Sequence, residues 1–321
     1  MKRAVLSPEF TVPSLATLPA RWPGRTVAVD GSATFVRETP ATGPAAEPAL
    51  YVHGLGGSST NWTDLAALLA DRLAGQAIAL PGFGHRGPAP SYTIAALADR
   101  VIRWIEHSDR GPVHLFGNSM GGAVAVKVAG TRPDLIRTLT LISPAMPFLD
   151  PRRSVQGRIV PLAFLPQASR LMARRMATMP ASEVAQLVIE TCFADPSLIP
   201  EQRRAEAIEE AQLRSSVPWY ADAYVRSLRG LVSSFLRAYL PGEGSIWRCT
   251  TKITAPSLVI AGRQDRLVDI RVAPQVARMI PDSRLLMLAG VGHVAQMETP
   301  RAVARAFVGM LDETRQADMA S

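Results

Sequence analysis

Ser119 stands in Gly117-Asn118-Ser119-Met120-Gly121, between the apolar run Val113-His114-Leu115-Phe116 and the apolar stretch 122–129. This order reads as strand, sharp turn, helix, with a serine at the bend. A serine hydroxyl is a poor nucleophile unless it is exposed, aligned with a base and faced by donors for an oxyanion. The Gly-x-Ser-x-Gly bend supplies the exposure, because glycines let neighbouring chain pass close to a strained backbone. Five residues alone decide little, so the flanking elements must confirm the reading. Three further segments carry residues of related chemistry. They are His53-Gly54-Leu55-Gly56-Gly57, Gly262-Arg263-Gln264-Asp265 and Gly292-His293, each just after an apolar run.

The elements that must position these residues alternate. Residues 25–29 and 33–38 flank Asp30-Gly31, a hairpin signal. Strands are predicted at 49–52, 76–80, 113–116, 139–142, 257–261 and 284–288. Helices are predicted at 61–73, 93–106, 122–129, 269–279 and 300–311. Short apolar strands separated by helices imply an α/β fold, a mostly parallel sheet covered by helices on both faces. From about 145 to 248 the alternation stops. That stretch reads as several helices punctuated by Pro161, Pro166, Pro180, Pro196, Pro200, Pro218 and Pro241. The expected organisation is an irregular leader over 1–24, a core of 25–146 and 249–321, and a helical cap over 147–248.

Bulk properties narrow the classes. The 321 residues are 47% hydrophobic, enough for a large core. The net charge of +8 is almost all arginine, lysine occurring only at Lys2, Lys127 and Lys252. The basic residues are scattered in runs no longer than two, so no nucleic-acid partner is expected. Cys192 and Cys249 are too few for a disulfide scaffold or a zinc site. There is no Gly-Lys-Ser/Thr phosphate loop and no His-Glu-x-x-His. Gly54-Leu55-Gly56-Gly57 has the wrong spacing for a dinucleotide loop. The expectation is therefore no cofactor and no metal. Pro8, Pro13 and Pro19 interrupt the N-terminal region, which has no signal-peptide core, and no run approaches membrane-spanning length. A cytoplasmic location follows as an expectation.

The four segments together, in the order Ser…Asp…His, resemble the α/β-hydrolase superfamily, in the sub-group with a helical cap inserted after the strand that follows the nucleophile. The resemblance runs from about residue 25 to the last helix. It implies Ser119 as nucleophile, His293 as the base that takes its proton, and Asp265 as the acid that orients the imidazole. Asp269, four residues on, is the rival acid, read instead as a helix cap. The resemblance also assigns the oxyanion donors to the backbone N–H groups of Met120 and Leu55. His53 is read as organising its loop and His85 as solvated near the site rim. His107 and His114 are read as surface and strand residues.

The implied activity is hydrolysis of a carboxylic ester of a small or lipid-like substrate through an acyl-enzyme, as in carboxylesterases and lipases. Two alternatives stay open. Gly-Asn-Ser-Met-Gly-Gly, the Leu80-Pro-Gly-Phe-Gly loop and the segment from Gly292 to Glu298 are similar to the meta-cleavage product hydrolases, which cut carbon–carbon bonds. Those usually carry a tryptophan where this chain has Val294. The other alternative is a non-catalytic ligand-binding homologue, since fold alone does not fix function. In the cap, the apolar patches at 160–165, 187–189 and 231–236 pack on the core, line an acyl pocket or make transient contact with a membrane surface. Met172, Met176, Met179 and Trp219-Tyr220 are candidates for the pocket wall. The oligomeric state and the substrate-binding residues are not legible at this level.

Overall fold

Side chains at successive strand positions face opposite sides of a sheet, and here both sides are apolar. Leu50 and Val52 join one core cluster while Ala49 and Tyr51 join the other. Leu115 and Phe116 divide in the same way, as do Val259 and Ile260. The computed structural model describes residues 1–8, 10–12, 18–83, 87–148, 164–165, 167, 171, 174–175, 178–240 and 245–320.

The sheet has nine strands: β1 (Lys2–Arg3), β2 (Gly24–Val29), β3 (Ser32–Thr39), β4 (Glu47–Val52), β5 (Leu73–Ile78), β6 (Val113–Asn118), β7 (Ile136–Ile142), β8 (Ser257–Gly262) and β9 (Ser283–Leu288). Their order is β1-β9-β8-β7-β6-β4-β5-β3-β2. All neighbours from β1 to β5 are parallel, and β3 and β2 join antiparallel at one edge. Asp30 and Gly31 turn that hairpin with positive φ at both positions, 48° and 74°. The helices are α1 (Thr63–Leu68), α2 (Ile94–Ser108), α3 (Met120–Thr131), α4 (Ala181–Cys192), α5 (Glu201–Ser215), α6 (Tyr220–Arg237), α7 (Ile246–Thr251), α8 (Val272–Met279), α9 (Ala295–Glu298) and α10 (Pro300–Ala320). Residues of α2, α3 and α8 fill one face of the sheet, and those of α1 and α10 the other. This is the expected mostly parallel α/β sheet.

Between β7 and β8 the described residues contain helices α4 to α7 and no strand. The expected boundary at 248 falls inside α7, whose Ile246, Trp247 and Cys249 are buried in the core cluster. The leader 1–24 is corrected as well. Lys2 and Arg3 pair with Arg284 and Leu285 as an edge strand, and Phe10 is buried among core residues. The helix expected over 61–73 ends at Leu68, and Leu73 already opens β5. Apolar residues at 65, 68, 69 and 73 fit a helical period, but Leu73 packs from a strand.

Candidate active site

In a parallel sheet the carboxyl ends of the strands lie along one edge, and loops leaving that edge build sites. His53 follows β4, Ser119 follows β6, Asp265 follows β8 and His293 follows β9. Chain topology alone therefore draws these residues to one side of the molecule.

Ser119 is the sharp bend between β6 and α3. Its φ of 54° and ψ of −121° lie in a region that residues with a Cβ rarely occupy. The surroundings hold it there. The Ser119 N–H donates to the Ile142 carbonyl at 3.0 Å, and the Ser119 carbonyl accepts from the N–H groups of Gly122, Ala123 and Ala145. The residue is partly exposed while every neighbour from Val113 to Asn118 is buried. Gly54 lies so close that a Cβ added to it would sit 2.9 Å from the Ser119 Cβ. The loop after β4 thus meets the serine backbone against side chain, which only glycine permits.

Asp265 and His293 come together. The His293 Nδ1 lies 2.9 Å from Asp265 Oδ2, and the two side chains are 4% and 2% exposed. The other carboxylate oxygen accepts from the Leu267 N–H at 2.8 Å and the Val268 N–H at 3.0 Å. Burial favours the neutral acid, but the charge and hydrogen bond of His293 and those two N–H groups outweigh it. The Asp265 carboxyl is held below its ordinary range. A carboxylate facing Nδ1 accepts a hydrogen bond from the Nδ1–H, which leaves Nε2 as the acceptor nitrogen of the imidazole. Asp269 is employed elsewhere. It accepts the Arg271 N–H at 3.0 Å and pairs with the Arg271 guanidinium. The helix expected to start at Asp269 begins at Val272, so Asp269 shapes the turn before it.

Met120 opens α3, where an N–H has no carbonyl one turn back to accept it. Leu55 is half-buried beside Gly56, whose φ is +69°. His53 is buried and fixes that loop. Its Nε2 accepts the Leu80 N–H at 2.9 Å, so Nδ1 carries the proton and donates to the Gly54 carbonyl at 2.8 Å. Burial, the largest influence, lowers its pKa to about 4. His114 lies in β6, between Thr138 and Glu47. His85, Met172, Met176 and residues 160–163 lie outside the described residues. Tyr220 packs edge-on against Phe83 at 6.0 Å, and the Tyr224 ring lies against Gly56. Among the described residues no group of three His, Cys, Asp or Glu side chains could hold a metal ion. None of the helices among them is long and apolar enough to cross a membrane.

Two supports of the site carry no signal that sequence reasoning uses. The buried Asn118 donates through Nδ2 to the Ile142 carbonyl and to the His293 carbonyl, both at 3.1 Å, joining the serine bend to the histidine loop. Gln264 accepts the N–H groups of Gly290 and Val291. An asparagine inside Gly-x-Ser-x-Gly looks like a variable position.

The sequence pattern of the alpha/beta hydrolase fold matches residues 48–300. The chain belongs to that family. It is similar to the dihydrolipoyllysine-residue acetyltransferase component of the acetoin cleaving system of Pseudomonas putida, 28% identical over 281 residues. That match covers 84% of this chain but only 64% of the relative's length. It is also 27% identical to monoacylglycerol lipase abhd6-B of Xenopus laevis, over 84% of this chain and 76% of that protein. Among solved structures, a membrane phospholipase A described as a bacterial virulence factor superposes with a TM-score of 0.73 at 24% identity. It covers 91% of this chain and 86% of that one, and its likeness concerns the fold.

Proposed function

We propose that the protein is a serine hydrolase that cleaves a carboxylic ester through an acyl-enzyme. The observation that carries this reading is the buried Asp265–His293 pair, tied through Asn118 to the strained serine bend. In the proposed cycle His293 Nε2 takes the Ser119 hydroxyl proton as Oγ attacks the ester carbonyl carbon. The Met120 and Leu55 N–H groups receive the developing oxyanion. Collapse breaks the bond to the alcohol oxygen, which leaves with the proton from His293. Water, deprotonated by the same nitrogen, then adds to the acyl carbon and releases the acid and free Ser119. Asp265 holds the imidazole in the Nδ1–H form and stabilises the imidazolium that forms twice per cycle.

The substrate class in this proposal is a small or lipid-like ester. The monoacylglycerol lipase among the relatives supports the lipid-like end of that range. Leu187, Leu198, Leu236 and Leu240 on the cap are all more than half exposed, which supports transient contact with a membrane surface. A cytoplasmic location belongs to the same proposal. The test is labelling of Ser119 by a fluorophosphonate probe together with turnover of p-nitrophenyl esters. A protein that neither labels nor turns over would overthrow the hydrolase reading. Turnover of a vinylogous diketone in preference to any ester would move the chemistry to carbon–carbon cleavage.

A further inference from the structure

The histidine loop is not held by the core alone. The His293 N–H donates to the Cys192 carbonyl at 2.7 Å, and Cys192 is the last residue of α4 in the cap. The adjoining Gly292 N–H donates to Glu298 Oε1 at 2.8 Å. The other oxygen of the same carboxylate accepts the N–H of Ala194, again at 2.8 Å and again from the cap. One side chain therefore takes one N–H from each side of the junction between the cap and the histidine loop.

The residue types follow from the spacing. Gly292 is pressed so tightly on the cap that an added Cβ would lie 2.5 Å from the Cys192 carbonyl oxygen and 2.8 Å from the Ala194 nitrogen. No side chain fits at that point, so the acceptor must reach in from elsewhere, and Glu298 does so from the end of α9. Both facing groups are donors, which suits a carboxylate. An amide of the same length would turn an NH2 towards one of them. An apolar seal surrounds the junction, formed by Ile189, Phe193 and Val294, with Cys192, Ile199 and Met297 against it. Burial pushes the Glu298 carboxyl above its ordinary range while three backbone N–H groups pull it down.

We infer that Glu298 is a positioning residue for His293, acting through the backbone of Gly292 and Ala194, so that the end of cap helix α4 sets the base. The inference rests on the proposed role of His293. Displacement of α4 would move the His293 N–H directly, and misplacement of a reacting group by about 1 Å can cost on the order of a hundredfold in rate.

The test is Glu298→Gln in the full chain, read by ester kinetics and by the downfield proton resonance of the His293 Nδ1–H beside Asp265. The expected result is a fall in kcat of about tenfold to a hundredfold with KM little changed, and a broadened or shifted resonance. A folded Glu298→Gln protein with the parent's kcat and an unmoved resonance would overturn the inference, as would a change confined to KM. Should that variant not fold, Ala194→Pro removes the N–H from the cap side and leaves the carboxylate intact. It should lower kcat in the same sense, and an unchanged kcat again overturns the inference. A parent protein that hydrolyses no ester would defeat the proposed function instead. The resonance would then still decide the positioning claim, since it reports the Asp265–His293 pair without turnover.

Discussion

The serine bend and the histidine loop are held on different terms. Every backbone partner given above for Ser119 lies in the core: Ile142 at the end of β7, Gly122 and Ala123 in α3, and Ala145 just beyond β7. His293 divides its backbone, its carbonyl taking a bond from Asn118 in the core and its N–H giving one to Cys192 in the cap. The difference teaches that the proposed nucleophile is a property of the sheet, whereas the proposed base is shared between the sheet and the helices inserted between β7 and β8. Changes in the cap should reach the chemistry through the histidine and leave the serine geometry alone.

The largest expected effect probes the core side. Ser119→Ala should lower ester turnover by about a millionfold while the thermal midpoint stays close to the parent's, because the side chain is only partly buried. Turnover within tenfold of the parent would remove Ser119 from the mechanism. Asp265→Asn should follow, at about ten-thousandfold in kcat by analogy with serine proteases, since an amide favours the wrong imidazole tautomer. Asp269→Asn should change kcat little, and a reversed ranking in paired assays would identify the wrong acid.

The cap side is probed by its anchor. Arg203 of α5 holds Asp64 of α1 through two nitrogens, and the two side chains are only 10% and 13% exposed. Arg203→Ala should lower stability by about 3 kcal/mol, because it leaves a largely buried carboxylate without its partner. Calorimetry would read this as a lower midpoint. Substrate preference should loosen more than kcat falls. A kcat loss as large as that of Glu298→Gln would extend the coupling from α4 to the whole cap.

The last effect is a slope. Buried His53 titrates at about 4, against about 6.5 for an ordinary histidine. Between those values the unfolded chain binds a proton that the folded chain refuses, so stability rises with pH across the window. His53 alone should contribute about 3 kcal/mol of stability at pH 7 that is lost as pH falls from 6.5 to 4. Denaturant titrations should show a shallower slope over that range in His53→Asn. An equal slope would mean that His53 is not held neutral in the folded state.

The sheet and its parallel sense were legible because burial on both faces leaves short apolar runs such as Ala49 to Val52 and Ser257 to Ala261. The placement of Asp265 and His293 just after strands of the sheet was legible because each follows such a run in a glycine-bearing turn. What escaped has a common cause. Lys2 and Arg3 join the sheet through backbone groups, and two polar residues leave no strand pattern. The contact of Cys192 with His293 is also backbone to backbone, so neither residue type announces it. Asn118 and Glu298 act on backbone carbonyls and N–H groups, most of them far off in the chain, and any sequence could supply those. The boundary expected at 248 falls inside α7 because the apolar residues by which that helix packs near α3 look the same in an inserted helix as in one that covers the sheet.

Asn118 and His293 are 175 positions apart, and the bond between them has a counterpart in time. A chain made from its N-terminus can complete β6 and the serine bend long before the histidine exists. At ordinary rates of synthesis the residues from β7 to His293 take on the order of ten seconds to appear. During that interval the growing chain has a serine turn without its proposed base, and the segment ending α4 waits for the loop it will hold. The two halves of the site meet only when the last strand has paired. A growing chain therefore cannot make this bond until it has been extended past residue 293.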